Sequence, residues 1–272
     1  MRPNTQNQMV LTIDIGNTKT KIAAFEGKQL VEHIVVERIN NECIGGLIDR
    51  FREFENSIIS SVDVKEEQRV AELLGKFRLK SHLLSYKSPL PFEIDYLTPE
   101  TLGKDRIAAL AGAYAVGGEG NYLVIDCGTC NTYDLLVDGH FVGGNIAPGI
   151  QMRLDAMHHF TAALPQCTID SMHNAQCTTN GHARREVMHN GLGVTTQTAI
   201  LNGAYWGVIN EINGYIERYS REYKNLKIVL TGGLFNLHII NISQLSTLNS
   251  QLLFEPTLVP KGLNYIAKNL SK

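Results

Sequence analysis

The stretch Asp14-Ile15-Gly16-Asn17-Thr18-Lys19-Thr20 recurs as Asp126-Cys127-Gly128-Thr129-Cys130-Asn131-Thr132. Aspartate, glycine and threonine coincide at the same spacing, and further on Glu26-Gly27 coincides in register with Asp138-Gly139. Any two β-hairpins share aspartate and glycine at turns, but five in-register matches make coincidence the weaker interpretation. Two copies of one supersecondary unit predict a duplicated lobe with a cleft between the copies.

The residues around each copy predict an α/β protein in which strands alternate with helices. Strands are predicted at residues 10–14, 20–25, 30–36, 58–62, 82–85, 122–126, 132–137, 140–145 and 227–231. Helices are predicted at 43–54, 65–77, from Asp105 to the Gly117-Gly118 pair, from Pro148-Gly149 toward His159, at 195–219 and at 261–270. The glycine pair sets the predicted boundary between an N-terminal lobe, 1–118, and a C-terminal lobe, 119–272.

The composition narrows the function classes. The 272 residues are 43% hydrophobic and 19% charged, which is ordinary for a globular protein. A net charge of -2 does not indicate the basic surface that is typical of nucleic-acid-binding proteins. The apolar runs at 9–13 and 107–116 are too short for a signal-peptide core or a membrane span. Five cysteines, an odd and sparse set, favour a reducing cytoplasm, so we expect a cytoplasmic protein that binds neither nucleic acid nor membrane.

The two Asp-x-Gly turns are suited to a polyphosphate and its cations. Glycine lets a phosphate approach the chain, and successive N–H groups in such a turn form an anion-binding nest. The hydroxyls of Thr18 and Thr129 can donate further hydrogen bonds, whereas Asp14 and Asp126 are suited to hold cations or their waters. A third turn, Gly232-Gly233 after a buried strand, would let the backbone lie against a base or ribose, although such turns are common in loops.

The pair Cys127-x-x-Cys130 offers a competing interpretation as a zinc or redox site. Structural zinc needs four ligands, usually as two such pairs, and only one pair is present. Cys167, Cys177 and the nearby histidines follow at irregular spacing. We therefore expect small side chains that fit a crowded turn.

Six motifs resemble those of type III pantothenate kinases, in the same order and at similar separation. They are Asp14-Ile15-Gly16-Asn17-Thr18, Thr98-Pro99-Glu100-Thr101-Leu102, Gly103-Lys104-Asp105-Arg106, Asp126-Cys127-Gly128-Thr129, Gly143-Gly144-Asn145-Ile146-Ala147-Pro148-Gly149 and Thr161-Ala162-Ala163-Leu164-Pro165. The resemblance runs from Val10 to the closing helix. Residues 171–185 look inserted relative to the family, and the family often has alanine at the position of Cys130.

The resemblance implies a two-lobed, actin-like fold with ribonuclease H-like lobes, of the superfamily that includes acetate kinase, sugar kinases and Hsp70. It implies transfer of the γ-phosphate of ATP to the terminal hydroxyl of pantothenate, giving 4'-phosphopantothenate in the first step of coenzyme A biosynthesis. Members of the family use a divalent metal such as Mg²⁺, need K⁺ or NH₄⁺, and are typically homodimers.

The resemblance also implies roles for individual residues. Asp105 would be the catalytic base, and Asp126 would bind the monovalent cation. Asp14 would hold the divalent metal through water. ATP would be bound by Asp14, Gly16, Asn17, Thr18, Lys21, Thr129, Gly232 and Gly233, and pantothenate by Tyr96, Gly103, Lys104, Arg106 and Thr196. The inserted segment leaves the choice between Thr195 and Thr196 open.

The chemistry of Asp105-Arg106 agrees with this implication. A weak carboxylate base can suffice, because phosphoryl transfer depends mainly on positioning and electrostatics. The guanidinium of Arg106 offers a planar fork for the substrate carboxylate or the transferred phosphoryl group. Otherwise Asp105 is an ordinary N-cap beside a solvated arginine. Two other functions stay open: a kinase for another small alcohol, such as a sugar, and a non-catalytic accessory or regulatory protein on the same scaffold.

Overall fold

The computed structural model describes residues 9–51, 54–170, 192–236, 240, 242–245 and 251–270. The segment 171–185, predicted to be an insertion, lies outside these residues, as does Cys177. The chain forms two compact units. The first comprises Met1–Val124, Asp134–Gly143 and Thr257–Lys272, and the second comprises Ile125–Tyr133 and Gly144–Pro256. The predicted lobe boundary at 118/119 stays a prediction. Within the described part of the chain, we find no helix with the length and apolar character needed to span a membrane.

The first sheet has five strands in the order β3-β2-β1-β4-β5. The strands are β1 (Met9–Ile15), β2 (Thr20–Glu26), β3 (Gln29–Val36), β4 (Phe54–Ser61) and β5 (Ser81–Leu83). The three strands β1 to β3 form consecutive antiparallel hairpins, and the chain then crosses to place β4 and β5 parallel to β1 on its other side. Two helices, α1 (Asn41–Phe51) and α2 (Val64–Lys76), pack on this sheet.

The second sheet has six strands in the order β11-β10-β7-β8-β9-β6. They are β6 (Glu93–Ile94), β7 (Tyr122–Cys127), β8 (Cys130–Val137), β9 (His140–Pro148), β10 (Lys227–Thr231) and β11 (Gln251–Phe254). The other helices are α3 (Lys104–Gly117), α4 (Ile150–His159), α5 (Thr196–Glu222), α6 (Gly233–Asn236) and α7 (Leu258–Asn269).

The order of strands repeats from one sheet to the other. Strands β7 to β11 are arranged as β1 to β5 are, with the first strand between the second and the fourth. Each first hairpin carries one of the Asp-x-Gly turns, so the duplication predicted from the sequence is present in the topology. Strand β6 is the addition, pairing in parallel with the edge of β9. It was not predicted, because it is two residues long and lies between prolines.

The hydrophobic core of the first sheet follows from alternation on β1 and from helical spacing on α1 and α2. Its fully buried members include Leu11, Ile13, Ile22, Ile44 and Ile59. The carboxylate of Asp63 accepts a hydrogen bond of 2.8 Å from the N–H of Lys65 and so begins α2. The helix predicted over 43–54 is too long at its end, since Phe54 already belongs to β4.

Helix α7 packs against α3 in the first unit at very short range. A Cβ added at Gly262 would lie 1.8 Å from the carbonyl oxygen of Ala108, and one at Gly112 would lie 2.2 Å from that of Leu258. Only glycine permits this approach of the two backbones. The helix that carries the Gly-x-Asp-Arg motif is thereby fixed by residues near the other end of the sequence.

Candidate active site

The first Asp-x-Gly turn connects β1 to β2. Asp14, which is 6% exposed, lies opposite Lys21 in the register, and the Lys21 Nζ is 3.8 Å from the Asp14 Oδ2. Gly16, Asn17 and Thr18 are exposed, and the N–H of Gly16 donates to the carbonyl of Lys19 at 3.2 Å. The turn therefore presents exposed backbone and a lysine beside a nearly buried carboxylate.

The second Asp-x-Gly turn is tighter than the first, although the sequences align. The N–H of Gly128 donates to the carbonyl of Cys130 at 3.1 Å, and β8 begins at Cys130, two residues earlier than the alignment with β2 predicts. Asn131, which aligns with the exposed Lys19, is fully buried. Thr129 is exposed in this turn, and Asp126 is partly buried at the end of β7.

Two glycines bring other parts of the second unit against this turn. A Cβ added at Gly232, whose φ is +106°, would lie 2.4 Å from the carbonyl oxygen of Cys127 and 2.5 Å from the Asp126 Oδ1. A Cβ at Gly149 would lie 2.5 Å from the carbonyl oxygen of Gly128. The structure thus brings together Asp126, the second turn and the Gly232-Gly233 turn. The sequence-based assignment gives the monovalent cation to Asp126, and ATP to Thr129 and the Gly232-Gly233 turn.

Asp105 lies in the first turn of α3, but it does not cap the helix. The N-cap is Gly103, and Asp105 Oδ1 accepts a 2.9 Å hydrogen bond from the N–H of Arg106. A Cβ added at Gly103 would lie 2.6 Å from that same oxygen. Glycine at this position therefore leaves room for the carboxylate in its observed orientation.

Arg106 is a buried cation rather than a solvated one. It is 5% exposed, and its Nε and Nη2 donate to one oxygen of the fully buried Asp134 at 2.8 and 2.5 Å. Its guanidinium lies over the rings of Tyr96 and Phe141, which stack on each other at 5.8 Å. Burial lowers the pKa of Arg106, but the hydrogen bonds and charge of Asp134 outweigh burial and leave the pKa above its ordinary value.

Asp134 is a site residue that the sequence analysis missed. It lies 28 residues from Arg106, in the otherwise apolar run of β8. An acidic residue between the apolar residues of a predicted strand was the available signal, because a charge that becomes buried requires a partner.

Lys104 and Thr196, both predicted to contact substrate, lie in different surroundings. The Lys104 Nζ donates to both carboxylate oxygens of the buried Glu67, at 2.6 and 2.8 Å. Thr196 is the exposed first residue of α5. The neighbouring Thr195 is the N-cap, and its hydroxyl accepts from the N–H of Thr198 at 3.2 Å.

A second missed network links α4, β8 and α5 in the second unit. Glu211 accepts from the Tyr133 hydroxyl and from Arg153 Nη2, both at 2.6 Å, while Arg153 Nε donates to the carbonyl of Pro148 at 2.7 Å. Burial, followed by the hydrogen bond to Glu211, raises the pKa of Tyr133. The network fixes the start of α4, where Gly149 contacts the second turn.

The cysteine pair has the character of structural thiols. Cys127 is buried and Cys130 partly buried, and burial raises the pKa of the Cys127 thiol. Among the described residues, no group of three or more histidine, cysteine, aspartate or glutamate side chains is arranged to hold a metal.

Comparisons with known proteins agree with these motifs. The family model described as type III pantothenate kinase matches residues 10–218. A type III pantothenate kinase from Flavobacterium johnsoniae is 35% identical over 227 residues, which cover 83% of this chain and 86% of that protein.

Two solved structures share the fold at low sequence identity. Component A of (R)-2-hydroxyglutaryl-CoA dehydratase from Acidaminococcus fermentans superposes with a TM-score of 0.57 at 14% identity, covering 96% of this chain and 97% of that one. The ROK hexokinase from Thermus thermophilus gives 0.52 at 12%, covering 97% and 100%. The predicted actin-like α/β fold class is confirmed.

Proposed function

The chain belongs to the type III pantothenate kinase family, and we propose that it transfers the γ-phosphoryl group of ATP to the terminal hydroxyl of pantothenate. The product is 4'-phosphopantothenate, in the first step of coenzyme A biosynthesis. The observation that carries the proposal is the pair Asp105-Arg106 in the first turn of α3. A proton acceptor there directly precedes a buried, fixed cation that stacks with Tyr96.

In the proposed mechanism, Asp105 accepts the proton of the pantothenate hydroxyl as the phosphoryl group is transferred. A carboxylate is a weak base toward an alcohol hydroxyl. Phosphoryl transfer tolerates a weak base, because the loose transition state depends on positioning. Asp134 occupies two N–H groups of Arg106, so the remaining N–H groups donate to the pantothenate carboxylate or the transferred phosphoryl group.

The nucleotide and its cations are assigned to the Asp-x-Gly turns. We propose that Gly16, Asn17, Thr18, Lys21 and Thr129 bind ATP phosphates, and that Gly232 and Gly233 lie against its base or ribose. A kinase of this family uses ATP with a divalent cation. We assign Mg²⁺ to Asp14, through water, and K⁺ or NH₄⁺ to Asp126. The contact of Gly232 with Asp126 supports a single site for the nucleotide and this cation.

The remaining assignments concern the contacts to pantothenate and the assembly of the protein. For Thr196, its exposure at the start of α5 and the capping role of Thr195 support contact with pantothenate. Gly103 and Tyr96 are assigned to the same substrate. Lys104 stays a predicted substrate residue, although its ammonium pairs with Glu67. A homodimer in the cytoplasm remains part of the proposal.

The proposal is tested by measuring ADP release with pantothenate, ATP, Mg²⁺ and K⁺. We expect turnover that falls when K⁺ is omitted and a K⁺ titration altered by Asp126→Ala. We expect Asp105→Ala to lower kcat by about 10²–10⁴-fold, the usual contribution of a general base. Asp49→Ala, at an exposed position on α1, is the matched control.

Each proposed role has an outcome that would contradict it. Full activity of the Asp105→Ala protein would exclude Asp105 as the catalytic base. A K⁺ titration of the Asp126→Ala protein that matches the wild type would exclude Asp126 as the cation ligand. Turnover of a sugar with none of pantothenate would indicate the sugar-kinase alternative. No turnover with any alcohol would favour the accessory or regulatory protein.

A further inference from the structure

The start of α3 carries a second ion pair on the side opposite to Arg106. Lys104 is the first residue of the helix, and its Nζ donates to both carboxylate oxygens of Glu67, at 2.6 and 2.8 Å. Residues two apart on an α-helix lie about 200° apart around its axis, so Lys104 and Arg106 leave α3 on nearly opposite sides. Glu67 therefore holds one side of the helix start and Asp134 holds the other. Asp105 lies between the two anchored residues.

The pair of Glu67 with Lys104 is largely withdrawn from water. The side chain of Glu67 is 5% exposed and that of Lys104 is 24% exposed. Charge-assisted hydrogen bonds of this kind are stronger than neutral ones, and a buried carboxylate without its cation is strongly destabilised. The ammonium is therefore held in one place by a carboxylate on α2, a helix that belongs to the same unit.

The first turn of α3 is weakly fixed by its own residues. Its N-cap is Gly103, which has no side chain to accept a hydrogen bond from the first turn. Lys104 places a positive charge at the positive end of the helix dipole, which is unfavourable without a partner. Asp105 Oδ1 accepts from the N–H of Arg106 at 2.9 Å, but this is the carboxylate proposed to take the substrate proton. The orientation of the turn therefore depends on the pairs that its two cations make with distant residues.

Given the proposed function, in which Asp105 is the base, we propose that Glu67 is a positioning residue that acts through Lys104. By holding the ammonium, Glu67 keeps the first turn of α3 in the orientation that brings the Asp105 carboxylate to the pantothenate hydroxyl. Positioning of this kind affects the rate of transfer more than the binding of either substrate, because a displacement of about 1 Å can cost about 10²-fold in rate.

The test measures kcat and both KM values, for pantothenate and for ATP, in the Glu67→Gln protein. We expect kcat to fall about tenfold with both KM values unchanged; the loss stays below about 10²-fold because the glutamine oxygen still accepts one N–H of Lys104. Lys104→Met should lower kcat at least as much. Glu72→Gln makes the same charge change at an exposed position on α2, and this control should keep the wild-type kcat.

A second comparison separates positioning from a general loss of structure. In the Asp105→Ala background, Glu67→Gln should cause no further loss of kcat, because the group that Glu67 positions is absent. If Glu67→Gln does not fold, Glu67→Asp takes its place in both comparisons, since it keeps the charge and withdraws it from Lys104 by one methylene group.

Wild-type kcat in the Glu67→Gln protein would overturn the proposal, and so would the same fold loss in the Asp105→Ala background. A raised KM for pantothenate with an unchanged kcat would also overturn it, and would instead make Lys104 a substrate contact. No turnover of pantothenate by the wild type would refute the proposed function itself, and this role of Glu67 with it.

Discussion

Asparagine in place of Asp134 removes the charge that balances Arg106 while keeping the shape of the side chain. Asp134 is fully buried and Arg106 is 5% exposed, so solvent does little to screen the remaining cation. Removing one partner of a buried ion pair typically costs about 3–5 kcal/mol. The asparagine oxygen can still accept a hydrogen bond from Arg106, and the stacked rings remain. We therefore expect a loss near the lower limit, about 3 kcal/mol.

The free energy of unfolding is measured by urea denaturation of the Asp134→Asn protein and the wild type. The matched control is Glu217→Gln, which breaks the pair of Glu217 with Arg221 on α5. Their side chains are 44% and 76% exposed, so the control should lose at most about 1 kcal/mol. The Asp134→Asn protein should also show a raised KM for pantothenate, because the fork of Arg106 is no longer held in one orientation.

A double replacement separates the cost of an unpaired charge from the value of the pair. Arg106→Met with Asp134→Leu removes both charges, and burying apolar groups of similar size is often neutral or stabilising. This protein should regain most of the stability lost in Asp134→Asn, while losing activity. A loss in Asp134→Asn no larger than in the Glu217→Gln control would refute the reasoning that Arg106 depends on a buried counter-charge.

Three further variants test other parts of the site and the fold. Gly232→Ala places a Cβ 2.5 Å from Asp126 Oδ1 at a φ of +106°; it should raise the KM for ATP more than that for pantothenate, and equal effects would contradict the assignment. Gly103→Ala, with its Cβ 2.6 Å from Asp105 Oδ1, should lower kcat at least about tenfold with little change in Tm; wild-type kcat would contradict it. Arg69 and then Arg38 lower the pKa of Glu66 to about 2. The stability that the wild type gains over Glu66→Gln should therefore be present at pH 7 and disappear as the pH falls from about 4.5 toward 2; a urea-unfolding difference independent of pH would exclude this.

The parts of the fold that the sequence predicts are those set by local rules. Both first hairpins are recognisable because short β-prone runs flank glycine-containing turns. The next turn in the second sheet, between β8 and β9, also follows a local rule, because Asp138 and Gly139 adopt positive φ there. The start of α3 at Lys104 also agrees with the helix predicted from Asp105. The length of the second turn was not predictable, because its alignment with the first turn places the start of β8 at residue 132 and β8 instead begins at Cys130.

Contacts between residues that are far apart in the sequence could not be predicted from it. Lys104 meets Glu67 across 37 residues, and Tyr133 meets Glu211 across 78. Spacing alone does not say which of the many charged residues will be neighbours once the sheets form. The same limit applies to β11, whose four residues become a strand by pairing with β10.

The contact of α7 with α3 has a consequence for how the protein is made. Residues 258–269 complete the first unit, yet the ribosome adds them after the whole of the second. Until they emerge, the nascent chain leaves the small-residue face of α3 at Gly112 without its permanent cover. The last helix of the first unit is therefore synthesised after every residue of the second unit, and a chain that ends before residue 258 lacks the helix that covers α3.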